Sequence, residues 1–116
     1  MRRTLVLNVV GLTPSMIGEA TPHLARLATS GGIRPLRTIL PAVTCSVQST
    51  MLTGRPPRDH GSVGNGWYFR DLAEVMFWRQ ANGLVSGEKV WEEGRRRDGA
   101  FTCAKLFWWY NMYSTA

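Results

Sequence analysis

Acidic residues are scarce in this 116-residue sequence: 8 Asp and Glu stand against 14 Lys and Arg, for a net charge of +6. That imbalance excludes an acidic, self-repelling chain and favours anionic partners, phosphate compounds among them. The basic residues are scattered apart from Arg95, Arg96 and Arg97. No nucleic-acid motif accompanies that triplet, so it reads as the solvated end of a helix. Cysteine is scarce too. Cys45 and Cys103 lie far apart without metal-ligand spacing, which excludes a cysteine-built metal site and leaves two reduced, partly buried thiols. Long apolar runs are missing, and nothing approaches a membrane-spanning helix. The opening MRRTLVLNVVGL is basic and then apolar, but the run is short, Asn8 interrupts it, and no small-residue cleavage site follows. It is therefore not read as a signal peptide, and a cytoplasmic protein is expected.

What is present is ordinary for a globular chain: 44% hydrophobic and 19% charged residues, enough for a modest core. Leu5 to Val10 is a short Val- and Leu-rich run that reads as a strand buried on both faces, as in a parallel sheet. Thr21-Pro22 has the pattern of a helix cap followed by Pro at the first helical position. Leu24, Leu27 and Ala28 follow at helical spacing, and Gly31-Gly32 stops the helix. Ile33 to Leu40 reads as a second extended segment closed by Pro41. Thr44 to Thr53 is compatible with a helix ending at Gly54. RPPRDHGSVGNGW, from Arg55 to Trp67, is a loop by composition. Asp71 to Asn82 is expected to be partly helical with Leu72, Val75, Met76 and Trp78 inward. Gly87 to Arg97 is a better helix, and Phe101 to Phe107 a further strand. That order is expected of a layered α/β fold. Phe101 to Tyr113 is strongly apolar and aromatic and needs neighbours to cover it, so residues 1–116 are expected to form a single incomplete domain.

The informative stretch is PAVTCSVQSTMLTGRPPRDHGSVGN, Pro41 to Asn65. Thr44 follows an extended segment and precedes a helix. A side-chain oxygen there sits where free N–H groups and the helix dipole favour negative charge, which suits a threonine acting as an alkoxide nucleophile. The same position also suits a plain N-cap, and the local pattern leaves both open. Asn65, within Gly64-Asn65-Gly66, reads locally as a turn residue. His60, in His60-Gly61, is expected to order the loop.

This stretch resembles the nucleotide pyrophosphatase/phosphodiesterase family of the alkaline phosphatase superfamily. The residues carrying the resemblance are Thr44, Thr53-Gly54, Pro56 or Pro57, His60-Gly61 and Asn65, in ungapped register. Thr21-Pro22-His23-Leu24 with Leu27, and Val90-Trp91-Glu92 followed by Phe101 to Phe107, extend it more weakly over most of the chain. The resemblance implies the N-terminal portion of an alkaline-phosphatase-like three-layer α/β sandwich with a largely parallel sheet. It implies hydrolysis of a phosphodiester or pyrophosphate bond in a small, possibly nucleotide-like substrate. Thr44 would be both nucleophile and metal ligand, passing through a covalent phospho-threonine. Asn65 would donate a hydrogen bond to a nonbridging phosphoryl oxygen. Two divalent ions, zinc in the family, would clamp the attacking and leaving oxygens.

One position departs from the pattern. The family's first strand ends in Asp-Gly, and that Asp is a metal ligand; here the equivalent residues are Val10-Gly11. Valine cannot ligate a metal, which puts the second metal site in doubt, and the family's remaining ligands come from later in its chain. Residues 1–116 alone are therefore expected to be inactive. Two further readings stay open. One is a degenerate relative that binds a phosphorylated ligand or transfers a phospho-group. The other is a small basic nucleic-acid-binding domain.

Overall fold

A computed structural model describes residues 3–116, which form two compact units, one ending at Arg37 and one running from Thr38 to Ala116. The first holds a single α-helix, α1 (Pro22–Gly31). Pro22 opens it, as its fixed φ and missing N–H favour. Gly32, at φ 100°, closes it with its N–H on the Ala28 carbonyl at 2.8 Å. Thr21 does not cap the helix through its side chain. Its hydroxyl closes the preceding turn instead, accepting the Gly18 N–H at 2.9 Å and donating to the Met16 carbonyl at 3.0 Å. The strand expected over Leu5 to Val10 does not form: the segment carries no regular secondary structure. A parallel strand needs neighbours on both edges and cover on both faces, whereas Leu5 is 81% and Val10 86% exposed.

The second unit contains α2 (Thr44–Thr53), α3 (Pro57–His60), β1 (Gly66–Phe69), β2 (Glu74–Phe77) and α4 (Val90–Arg97). Helix α2 ends as expected at Gly54, in the left-handed region at φ 66°, where glycine carries no Cβ penalty. The expected loop after it contains the single turn α3. Strands β1 and β2 form an antiparallel hairpin pairing Gly66 with Phe77, Trp67 with Met76, Tyr68 with Val75 and Phe69 with Glu74. The partial helix expected over Asp71 to Asn82 is thus a correction. The aromatic and β-branched residues of WYF and VMF favour a pleated pair with cross-strand contacts, and Arg70–Leu72 turns the chain between them. The mixed α/β class stands, but among the described residues this antiparallel pair is the whole of the sheet. Neither Ile33 to Leu40 nor Phe101 to Phe107 forms a strand, so the parallel sheet does not form here.

The core of this unit is small. Cys45, Val85 and Tyr110 are buried together, with Trp67, Leu84 and Trp109 packed against them. The inward residues of α2 are mostly polar: Cys45, Ser46, Gln48 and Ser49. The segment after Phe101 is tied to the rest by hydrogen bonds rather than a ladder. Trp109 N–H donates to Gln48 Oε1 at 2.7 Å, and Asn82 N–H to the Met112 carbonyl at 2.9 Å. Trp91 of α4 is fully buried. Its indole N–H donates to Thr115 Oγ1 at 2.9 Å, and Lys105 Nζ lies 4.2 Å from its ring, a favourable cation–π contact. Glu92 Oε2 accepts the Lys89 N–H at 2.9 Å, satisfying one donor at the start of α4. The Arg95–Arg97 end is closed on its own surroundings. Arg96 pairs with Glu88 and Glu93, Arg97 with Glu93, and Arg95 donates to the Thr115 carbonyl. Both cysteines are free thiols, Cys45 buried and Cys103 half-buried. Among the described residues, no helix is long and apolar enough to cross a membrane.

Candidate active site

Thr44 is the first residue of α2, exposed at its N-terminus. Val43 occupies the flanking cap position and provides no side-chain cap, and no acidic residue stands in the first turn. Among the described residues, the Thr44 hydroxyl makes no hydrogen bond within the protein. The N-cap reading of Thr44 is therefore not what the structure shows. The hydroxyl is free at a helix end that carries no acidic residue in its first turn.

The structure brings Asn65 to the same end. Its Oδ1 accepts the backbone N–H of Cys45 at 3.0 Å, across twenty residues of sequence. That N–H is one of the donors a helix start leaves unpaired, so Asn65 caps α2 from the loop before β1. The bond also orients the carboxamide. With Oδ1 committed as acceptor, Nδ2 is left with its two donors. Asn65 is half-buried, and its carbonyl accepts the Trp78 N–H at 3.0 Å. Ser46, one residue beyond Cys45, spends its hydroxyl on the Pro41 carbonyl at 2.6 Å, which ties the start of α2 to the segment before it.

His60 is structural, as expected. It is fully buried. Nδ1 accepts the Ser62 N–H at 3.1 Å, so the ring proton sits on Nε2 and is donated to Thr50 Oγ1 at 3.0 Å. Its carbonyl accepts the Ser86 N–H at 2.9 Å. Burial lowers its pKa from the usual histidine value, against the opposing charge of Asp59, and a neutral ring is what this network requires. Burial likewise raises the Cys45 thiol, with an interaction with Tyr110 pulling the other way. Cys45 is thus a protonated core residue rather than a reactive thiolate.

The donors around Thr44 do not make a metal site. Among the described residues, no group of three or more His, Cys, Asp or Glu stands together. Zinc takes three or four nitrogen, sulfur or carboxylate ligands. Beside Thr44 there is a carboxamide and a buried protonated thiol, and His60, which bonds Thr50 further along α2, has both ring nitrogens engaged. Val10 belongs to the other unit, at an exposed turn, and has no atom able to ligate a metal.

Sequence reasoning missed two participants. The Cys45 N–H was implied only generically, as one of the free donors at a helix start. Tyr110, which contacts both flanks of the Asn65 loop, carried no signal in its spacing.

A free hydroxyl at a helix start, with a carboxamide held alongside, is an arrangement that can receive an anion. The chain belongs to the type I phosphodiesterase / nucleotide pyrophosphatase family, whose model matches residues 4–116. No curated protein and no solved structure matches the chain. Membership associates it with hydrolysis of phosphodiester and pyrophosphate bonds and with phosphorylated substrates.

Proposed function

We propose that the protein hydrolyses a phosphodiester or pyrophosphate bond in a small phosphorylated substrate, with Thr44 as nucleophile. The observation that carries this reading is the Asn65 Oδ1 bond to the Cys45 N–H at 3.0 Å, which fixes a carboxamide donor beside an uncapped threonine. Thr44 Oγ1 forms a bond to phosphorus as the bond to the leaving oxygen breaks, and the hydroxyl proton is lost to solvent as the leaving oxygen gains one. Water then attacks the phospho-threonine, the Oγ1–P bond breaks, and Thr44 regains its proton. The free N–H groups of α2 and the Asn65 Nδ2 donors oppose the negative charge growing on the nonbridging oxygens.

In the family, zinc would supply charge neutralisation at the reacting oxygens. The donors at Thr44 within the described residues do not by themselves hold an ion. We propose instead that residues 1–116 are the N-terminal part of a larger alkaline-phosphatase-like domain, whose further residues supply the missing ligands. The uncovered Leu5, Val10, Leu40 and Phe107, all at least 81% exposed, support this, because apolar segments of this kind need packed neighbours.

The test is to quench a reaction of the longer chain with an aryl phosphodiester in acid and map phosphate by mass spectrometry. The expected adduct is on Thr44, absent in Thr44→Ala. Steady turnover with no adduct, unaffected by Thr44→Ala, rules the reading out. Val10 in place of the family's Asp favours a second reading, a relative that binds a phosphorylated ligand without hydrolysing it. Saturable phosphate-ester binding with no release of alcohol would select it.

A further inference from the structure

On its C-terminal side Asn65 is held by the hairpin, its carbonyl accepting the Trp78 N–H at 3.0 Å and Gly66 pairing with Phe77. Glycines flank it on both sides, and its side chain reaches α2 through one bond. A further anchor of the loop is Tyr110, which is 1% exposed. Tyr110 Oη accepts the indole N–H of Trp67, two residues after Asn65, at 2.9 Å. It shares a hydrogen bond with Ser62 Oγ, three residues before Asn65, at 3.2 Å. The Trp67 ring meets the Tyr110 ring edge-on at 6.5 Å. Tyr110 also packs in the core with Cys45, the residue whose N–H holds Asn65. The tyrosine is itself fixed from behind, its carbonyl accepting Asn82 Nδ2 at 3.0 Å and Lys105 Nζ at 3.2 Å. Its backbone lies in the left-handed region at φ 55°, a conformation an aromatic residue keeps only where its surroundings hold it.

We propose that Tyr110 is a positioning residue for Asn65: its hydroxyl pins both flanks of the Asn65 loop to α2 and so keeps the carboxamide beside Thr44. This rests on the reading of Asn65 as the donor to a phosphoryl oxygen. A donor aligned in advance stabilises developing charge without reorganising, and a displacement of about 1 Å can cost up to a hundredfold in rate. Tyr110→Phe removes the hydroxyl and keeps the ring, so the core stays filled while the loop is released.

The experiment compares Tyr110→Phe, Asn65→Ala and the double variant, each in the longer chain proposed above, on an aryl phosphodiester. Alongside it, hydrogen exchange of the Cys45 amide is followed by NMR. Tyr110→Phe is expected to lower kcat on the order of tenfold with KM held within about twofold. In the Asn65→Ala background it should add about twofold or less, because both act through one group. The Cys45 amide should exchange on the order of tenfold faster in Tyr110→Phe than in wild type. If Tyr110→Phe does not fold, Trp67→Phe, which removes the indole N–H donated to Tyr110, carries the same expectations. Wild-type kcat in Tyr110→Phe with slow Asn65→Ala overturns the pin and leaves the role of Asn65 standing. Wild-type kcat in Asn65→Ala overturns the role of Asn65. The Cys45 amide then decides for the pin if it exchanges faster in Tyr110→Phe, and against it if unchanged.

Discussion

Asn65 Oδ1 and the Cys45 N–H meet at 3.0 Å, and this bond joins the loop before β1 to the first turn of α2. Asn65 thereby carries two separable jobs. The oxygen caps the helix, and in the proposed reaction the nitrogen is the donor beside Thr44.

Substitution at Asn65 separates those jobs. Asn65→Asp keeps an acceptor for the Cys45 N–H and adds negative charge at a helix start, where the dipole favours it. Asn65→Ala removes the cap, at about 1 kcal/mol of stability. Urea melts should therefore show Asn65→Asp near wild type and Asn65→Ala less stable. Turnover should fall in both, on the order of a hundredfold for loss of one transition-state donor. Wild-type turnover in Asn65→Asp would show that Nδ2 donates nothing that matters.

Thr44→Ala should behave in the opposite way, silent in stability and lethal to chemistry. Thr44 is exposed, and its own hydroxyl does not cap α2, so losing the hydroxyl removes no internal contact. Alanine is also the better helix former. The change in unfolding free energy should stay within about 0.5 kcal/mol, while phosphodiester turnover is abolished. A variant that melts markedly lower but hydrolyses normally would mark Thr44 as a structural residue only.

Helix α2 and its neighbours were legible in the sequence because their signals are local: Pro22 at a helix start, Gly32 and Gly54 at helix ends, a glycine-rich loop with Asn65 at a fixed distance from Thr44. The hairpin was misread because Asp71 to Asn82 offers apolar residues at spacings that suit either period, and the cross-strand pairing of Tyr68 with Val75 is not a local property. The expected parallel strands failed for a different reason. A strand buried on both faces is defined by its partners, and Leu5 to Val10 has no cover in its unit. The contribution of Tyr110 to the Asn65 loop was invisible, since a bond from Trp67 across 43 residues leaves no trace in spacing.

His60 gives the fold a pH dependence with a definite sign. Burial lowers its pKa in the folded state, whereas the unfolded chain takes the ordinary value of about 6.5. Below that value the unfolded state binds a proton that the folded state refuses. Stability from this residue is therefore fully present above about pH 6.5 and is lost as pH falls toward the lowered folded pKa. Urea melts between about pH 5 and 8 should show the midpoint dropping on the acid side. His60→Gln, which cannot titrate, should be less stable at neutral pH because the Thr50 and Ser62 contacts are disturbed, but flatter with pH. An unchanged acid slope in His60→Gln would assign the pH dependence to other groups.

The last prediction concerns metal. Tight zinc binding takes several anionic or imidazole donors converging on one point. Among the described residues no such group exists, His60 is committed to Thr50 and Ser62, and Val10 stands where the resemblance implies a ligand aspartate. The 116-residue chain is therefore expected to hold no zinc after dialysis against a weak chelator and to show no zinc-dependent diester turnover. Val10→Asp should change little in stability, because Val10 is 86% exposed at a turn. One carboxylate alone should not capture an ion tightly. In a longer chain that supplies the remaining ligands, the same substitution should raise zinc occupancy, since it restores an anionic donor to a site that lacks one. Elemental analysis of the 116-residue chain, the longer chain and Val10→Asp in each separates the cases. One tightly held zinc per 116-residue chain would show that a ligand set exists where the structure shows none. Two zinc ions in the unsubstituted longer chain, with no gain from Val10→Asp, would show that valine at this position is no defect.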